Sequence, residues 1–281
     1  MSGSGKTRLC LEGLCHDWGL YISCGVSTNN PLTGSADFRA AMDIMEDTSN
    51  WKESANKVDL AHRVFAMLIC ARVFVLKCLL DLLPADTSAE TARRRWVLAQ
   101  VMPPISFDKD LFVLVLNSLR AAYKTDLAAF TDFILDELAT RHEKNFHPRK
   151  LFAVVDETQV ATEYLNESFC SLTSASEKRP VLHPFYNYLW NSNFFRGVIL
   201  AGTGLSMKMV RTSVISEYVR VQSYRLVPFV FVEVGRFEKD DVFHHTYIEK
   251  YLSLSESDSD RRLMQRILYW FHGRWAQCWT L

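Results

Sequence analysis

Six residues near the start of the chain, Ser2-Gly3-Ser4-Gly5-Lys6-Thr7, constrain its fold more than any other stretch. They form the second half of a phosphate-binding pattern in which glycine, four residues, glycine, lysine and a hydroxyl residue follow one another. Small residues let successive backbone N–H groups turn onto phosphate oxygens, a lysine ammonium reaches the β- and γ-phosphates, and a Thr7 hydroxyl can ligate Mg²⁺. The start of the following helix adds a positive field. Ser2, Gly3, Ser4, Gly5, Lys6 and Thr7 are therefore the candidate phosphate-binding residues. The first glycine of the pattern and the strand that should feed it fall before Met1, so the chain is expected to begin inside a nucleotide-binding core.

A second stretch fits the first. Leu151-Phe152-Ala153-Val154-Val155 runs directly into Asp156-Glu157. A continuous apolar run of this length reads as a buried parallel strand, and ligands in doubly wound sheets sit at the carboxyl ends of strands. The run matches a Walker B strand, in which Asp156 would help to hold Mg²⁺ and Glu157 would polarise the attacking water. Between these stretches, Lys6–Trp18 carries helical spacing, Leu20–Cys24 reads as a short strand, and Ser27–Gly34 as a loop.

From Ser35 to about His142 the pattern is almost wholly helical, with segments expected at Asp37–Met45, Lys57–Leu82, Ala89–Val101, Phe107–Tyr123 and Leu127–Arg141. Further on, Thr158–Thr173 and Pro184–Phe195 read as helices separated by an exposed loop at Ala175–Pro180. Gly197–Leu200 reads as a third strand closing on Ala201-Gly202-Thr203-Gly204, and Pro228–Val234 as a fourth. The fold class expected is α/β: a P-loop NTPase three-layer sandwich with a mostly parallel sheet and a large helical insertion. Its boundaries would be residues 1–34 and 148–239 for the core, 35–147 for the insertion and 240–281 for a C-terminal helical region.

Composition bounds the rest. The chain has 281 residues, 48% of them hydrophobic, and equal numbers of basic and acidic side chains, 32 each. A large core is affordable and no global field draws the chain to nucleic acid or anionic lipid. The Arg93-Arg94-Arg95 triplet reads as a solvated helix face. Seven scattered cysteines with no CxxC pair suit free thiols in a reducing, intracellular compartment, with secretion left open because the start lies inside a motif. No window is apolar enough for a membrane span. His244-His245 has no second pair at metal-ligand spacing.

Taken together, SGSGKTRL, LFAVVDETQVA with Gln159 three residues beyond Asp156, GVILAGTGLS and the late LYWFHGR resemble the P-loop ATPase domain of fungal and oomycete Crinkler-type proteins, relatives of the AAA+ and STAND ATPases. The resemblance spans Ser2 to about Arg274. It implies phosphate binding at Gly3 to Thr7, Mg²⁺ at Thr7 and Asp156, water activation at Glu157, and γ-phosphate sensing at Thr203 and Arg274. ATP and Mg²⁺ are the cofactors implied, with hydrolysis driving a conformational or assembly switch. Two other readings share the motif: a catalytically impaired nucleotide-binding or protein-interaction module, and a small-molecule kinase. Relative to such domains the chain lacks the first strand and ends at Leu281 where a helical lid would continue, as a fragment would.

Overall fold

The computed structural model describes residues 6–25, 34–47, 57–103, 109–120, 126–143, 146, 151–170 and 178–202. The chain divides into two compact units, Cys10–Leu226 and Met1–Leu9 with Val227–Leu281. Of the second unit, only the opening turn of the first helix is described. The elements are α1 (Lys6–His16), β1 (Gly19–Ser23), α2 (Asp37–Asp47), α3 (Lys57–Leu82), α4 (Ala89–Val101), α5 (Leu111–Arg120), α6 (Leu127–Arg141), β2 (Leu151–Asp156), α7 (Thr158–Ala161), β3 (Phe169–Cys170), β4 (Lys178–Arg179), α8 (Leu182–Asn191) and β5 (Phe195–Leu200).

The architecture is mixed α/β, built on a parallel sheet of order β1-β2-β5. Gly19 to Ser23 pair in register with Phe152 to Asp156, and Phe152 to Val155 pair with Gly197 to Leu200 after a register shift at Leu151/Phe152. Parallel neighbours need crossovers, and helices supply them here. Because side chains alternate across a strand, Leu20, Ile22, Ala153 and Val155 enter the main core with residues of α2, α3 and α8, while Tyr21 and Val154 meet Leu14 of α1 and Val97 of α4 on the other face. Burial on both faces is why β1 and β2 read as continuous apolar runs.

The centre of the helical part is α3, packed against α2, α4, α5, α6 and α8. Its middle is buried nearly all round, from Met67 to Val73 without a break, as expected of a core helix rather than an amphipathic surface one. That run contains Arg72, whose guanidinium is fully buried. The side of β1 facing away from β2 is finished by helix side chains. Trp96 Nε1 donates to the Gly19 carbonyl at 2.8 Å, the Tyr21 N–H donates to Gln100 Oε1 at 2.7 Å, and Arg72 Nη1 donates to the Tyr21 carbonyl. These side chains take the place of a neighbouring strand, so buried backbone groups are not left unpaired. Gly19 permits the tight entry into β1: a Cβ there would lie 2.5 Å from Leu14 Cδ2 and 2.6 Å from the Phe152 carbonyl oxygen.

Three local expectations are corrected. Only Thr158–Ala161 of the expected Thr158–Thr173 helix forms, followed by turns in which Leu165 and Glu167 take positive φ, and then by β3. The expected loop at Ala175–Pro180 contains β4, which pairs antiparallel with β3 and buries Arg179. The aromatic helix spans Leu182–Asn191, not Pro184–Phe195. Pro184 fits its first turn, where no intrahelical N–H bond is needed, and Ser192 turns extended so that Phe194 and Phe195 can start the ladder of β5. The Pro228–Val234 strand and the helices after it lie outside the described residues. No helix among the described residues is long and apolar enough to cross a membrane.

Candidate functional site

β2 delivers its acidic pair to the carboxyl edge of the sheet. Asp156 closes the strand with only 3% of its surface exposed. A carboxylate so deeply buried needs donors. Its Oδ1 accepts the Glu157 N–H at 2.9 Å, and its Oδ2 accepts the Tyr21 hydroxyl at 2.8 Å. Its backbone carbonyl takes the Cys24 N–H, extending the β1–β2 ladder past the last paired residues. Burial, then the charge of Asp156 and the bond to it, raise Tyr21 far above the usual phenol range, so the hydroxyl stays a donor.

Glu157 leaves the strand in the left-handed region, at φ 51° and ψ 39°. For a residue with a Cβ that conformation costs about 1–2 kcal/mol, and the surroundings hold it in place. The next residue, Thr158, staples the turn to the end of β5: its N–H and its Oγ1 both donate to the Ala201 carbonyl, at 2.9 and 2.8 Å, while the Ala201 N–H returns to Val155. Gln159 Nε2 donates to Glu157 Oε2. From the other side Gly25 closes on Glu157, and a Cβ at that position would lie 2.9 Å from Glu157 Cβ and 3.2 Å from Val160 Cγ2.

Helix α1 brings Cys10 beside this cluster. Burial first, and then the charge of Asp156, push the Cys10 thiol up to about 11. Cys24, at the end of β1, is raised well above its ordinary value by burial and by the same carboxylate. Both thiols are therefore protonated at neutral pH and behave as small apolar groups.

Of the residues singled out in the sequence, Asp156 and Glu157 share the exit of β2, and Lys6 (half-buried) and Thr7 (exposed) open α1. Ser2, Gly3, Ser4, Gly5, Thr203 and Arg274 lie outside the described residues, as do His244 and His245. Sequence reasoning missed Tyr21, Gly25 and Cys10. A signal for Tyr21 was present: a tyrosine in an otherwise aliphatic buried strand needs a partner for its hydroxyl. What it could not supply was the parallel register that sets Tyr21 two residues before the partner of Asp156.

Among the described residues, no three His, Cys, Asp or Glu side chains converge as a metal cluster. The oxygen donors offered by Asp156 and Glu157 are of the hard type that suits Mg²⁺, which keeps several waters and asks for few protein ligands. Comparison of the chain with protein-family models, with curated proteins and with solved structures gives no match.

Proposed function

We propose that this chain is the nucleotide-binding part of a P-loop ATPase, a three-layer sandwich that hydrolyses ATP with Mg²⁺ and couples hydrolysis to movement or assembly of its helical parts. The observation that carries the reading is the acidic turn itself: a buried parallel strand ends in a carboxylate held by two donors, and the next residue is a second carboxylate fixed in a strained conformation. Strain of this kind, maintained by bonds from three elements, is characteristic of working sites. The chemistry of the Lys6-Thr7 motif supports the same reading.

In this reading Ser2 to Gly5 present backbone N–H groups to the phosphates and Lys6 lies against the β- and γ-phosphates. Thr7 and Asp156 would hold Mg²⁺, Glu157 would orient a water and accept its proton, and Thr203 and Arg274 would contact the γ-phosphate. Mg²⁺, when bound, neutralises charge on the phosphate oxygens. The test is thermal stabilisation and turnover by Mg-ATP in the wild-type chain, Lys6→Ala and Glu157→Gln. At a nucleotide concentration near 100 times Kd the wild type should gain about 2.7 kcal/mol. Lys6→Ala should lose most of that gain. Glu157→Gln should keep the gain and lose turnover. Equal stabilisation and equal turnover in all three proteins would overturn the proposal.

One observation favours the interaction-module reading. Phe130 and Phe133 stack on the outer face of α6 at a centroid distance of 6.5 Å, and Phe133 is 61% exposed. A module of that kind would show no stabilisation by ATP, and Phe133→Ser would weaken partner capture without changing the fold.

A further inference from the structure

We propose that Tyr21 is a positioning residue of this site, a phenol anchored by the helices that fixes the Asp156 carboxylate in the orientation needed for a divalent cation. The inference rests on the Mg-nucleotide reading above and adds to it a residue that the phosphate-binding and acidic motifs do not contain.

The geometry is specific. In the β1–β2 register Tyr21 pairs with Val154, and Ser23 with Asp156. Two residues of strand advance about 6.6 Å, close to the reach of a tyrosine hydroxyl from its own Cα. A phenol lying along the strand direction therefore ends at the carboxylate, and the observed 2.8 Å bond is the result. Both partners are buried at 3% exposure, so solvent does not compete for it.

The anchor is as well defined as the contact. The Tyr21 N–H is held by Gln100 of α4 and its carbonyl by Arg72 of α3. Arg72 is itself locked by two 2.7 Å bonds to Asp37, and Asp37 in turn takes its N–H to Ser35, whose hydroxyl donates to Asp110. Tyr21 thus sits at the buried end of a chain of polar contacts reaching through α3 and α2 to the half-buried Asp110 at the start of α5. A residue whose backbone is supported in this way can hold its partner in place through its side chain, as the outer partners of metal ligands do.

A purely structural tyrosine would satisfy a buried carboxylate and do no more. The two roles separate in a titration of Mg²⁺ at fixed fluorescent-labelled ATP. Tyr21→Phe keeps the ring and removes one oxygen. The half-saturating Mg²⁺ concentration should rise about tenfold or more, in line with the 10–100-fold effect of losing such a partner, while affinity for the nucleotide in excess chelator stays within about twofold. Wild-type chain labelled with ¹³Cζ-tyrosine gives a second readout. The resonance that Asp156→Asn displaces should move when Mg²⁺ joins the bound nucleotide and stay still when nucleotide binds alone. This measurement decides the matter if Tyr21→Phe does not fold. An unchanged Mg²⁺ midpoint in Tyr21→Phe, or a Tyr21 resonance indifferent to Mg²⁺, overturns the positioning role and leaves nucleotide binding standing. Nucleotide affinity that is the same in wild type and Lys6→Ala overturns both.

Discussion

Replacing Arg72 with methionine tests how far the helices support the sheet. The substitution keeps volume and removes a guanidinium that makes two 2.7 Å bonds to Asp37, one to the Tyr21 carbonyl and a 4.9 Å cation–π contact with Phe112. Arg72 and Asp37 are both fully excluded from solvent, so the loss leaves a buried carboxylate without its counter-charge. Breaking such a pair costs about 3–5 kcal/mol, and the abandoned Tyr21 carbonyl adds about 1 kcal/mol or more. Against a total stability of about 5–15 kcal/mol, this is a large fraction. Urea unfolding should show a midpoint moved sharply down with an unchanged slope, and Tm should fall by roughly 7–10 °C, because about 2.1 cal/mol/K per residue gives an unfolding entropy of about 0.6 kcal/mol/K for this chain. The pH dependence sharpens the test. Burial already raises Asp37 in the wild type, against the lowering influence of Arg72. With Arg72 gone, burial and the neighbouring Asp110 raise it further. An acid whose folded pKa is raised contributes stability that is present below its unfolded pKa and is lost as pH rises through the folded value. The deficit of Arg72→Met should therefore be smaller at pH 5 than at pH 7. A variant within 1 kcal/mol of wild type, or a deficit that grows on acidification, would refute the account of Arg72 as the clamp between helices and sheet.

The remaining predictions concern the site and its margins. Gly25→Ala forces a Cβ to within 2.9 Å of Glu157 Cβ, so turnover of Mg-ATP should fall about tenfold or more, given how steeply misplaced groups lose rate, with nucleotide affinity nearly unchanged; normal turnover would show that Glu157 is not held by this contact. Cys10, pushed up to about 11 by burial and Asp156, should react slowly with iodoacetamide at neutral pH, and Asp156→Asn should speed its labelling, as read by mass spectrometry of the α1 peptide. Burial lowers His62 despite Asp59 and a bond to the Pro184 backbone, and its Nε2 has no hydrogen-bond partner among the described residues. A base whose folded pKa is depressed supports the fold above its unfolded pKa, near 6.5, and withdraws that support as pH falls. Urea midpoints should accordingly drop between pH 7.5 and 5.5 in wild type and less in His62→Gln; parallel curves would exclude His62 as the titrating group.

Sequence legibility follows the range of the interactions that decide each element. The bounds of α3, α4 and α6 are readable because their causes are local: long apolar periodicity and, for the latter two, capping by Ser88 and Asp126, whose side chains accept from N–H groups in the first turn. β2 is readable because burial on both faces leaves an unbroken apolar run. The stretch after Thr158 misleads because Tyr164 and Leu165 supply the apolar positions of a helix while packing against the core from turns, and because pairing of β3 with β4 depends on a partner eight or more residues further on. Within the site, Asp156 and Glu157 are legible as types. Their setting is not, since the Tyr21 bond joins residues 135 apart in sequence and the tightness at Gly25 arises only when the ends of β1 and β2 are side by side.

The three consecutive residues Asp156, Glu157 and Thr158 are held by three different parts of the molecule, and their energetic signs differ. Asp156 takes a bond from β1, whose position the helices fix. Thr158 adds two bonds to Ala201, just past β5, and, at about 1 kcal/mol net for each, offsets the strain beside it. Glu157 alone carries that strain, in a backbone region where glycine would be cheaper by about 1–2 kcal/mol. Stability therefore does not account for a glutamate at this position. Its neighbours account for how the strain is tolerated, and the proposed role of the carboxylate, which accepts from Gln159 at the mouth of the sheet, would give the strain a chemical use. A turn in which the stable residues brace the unstable one is the arrangement expected when the unstable residue does the chemistry.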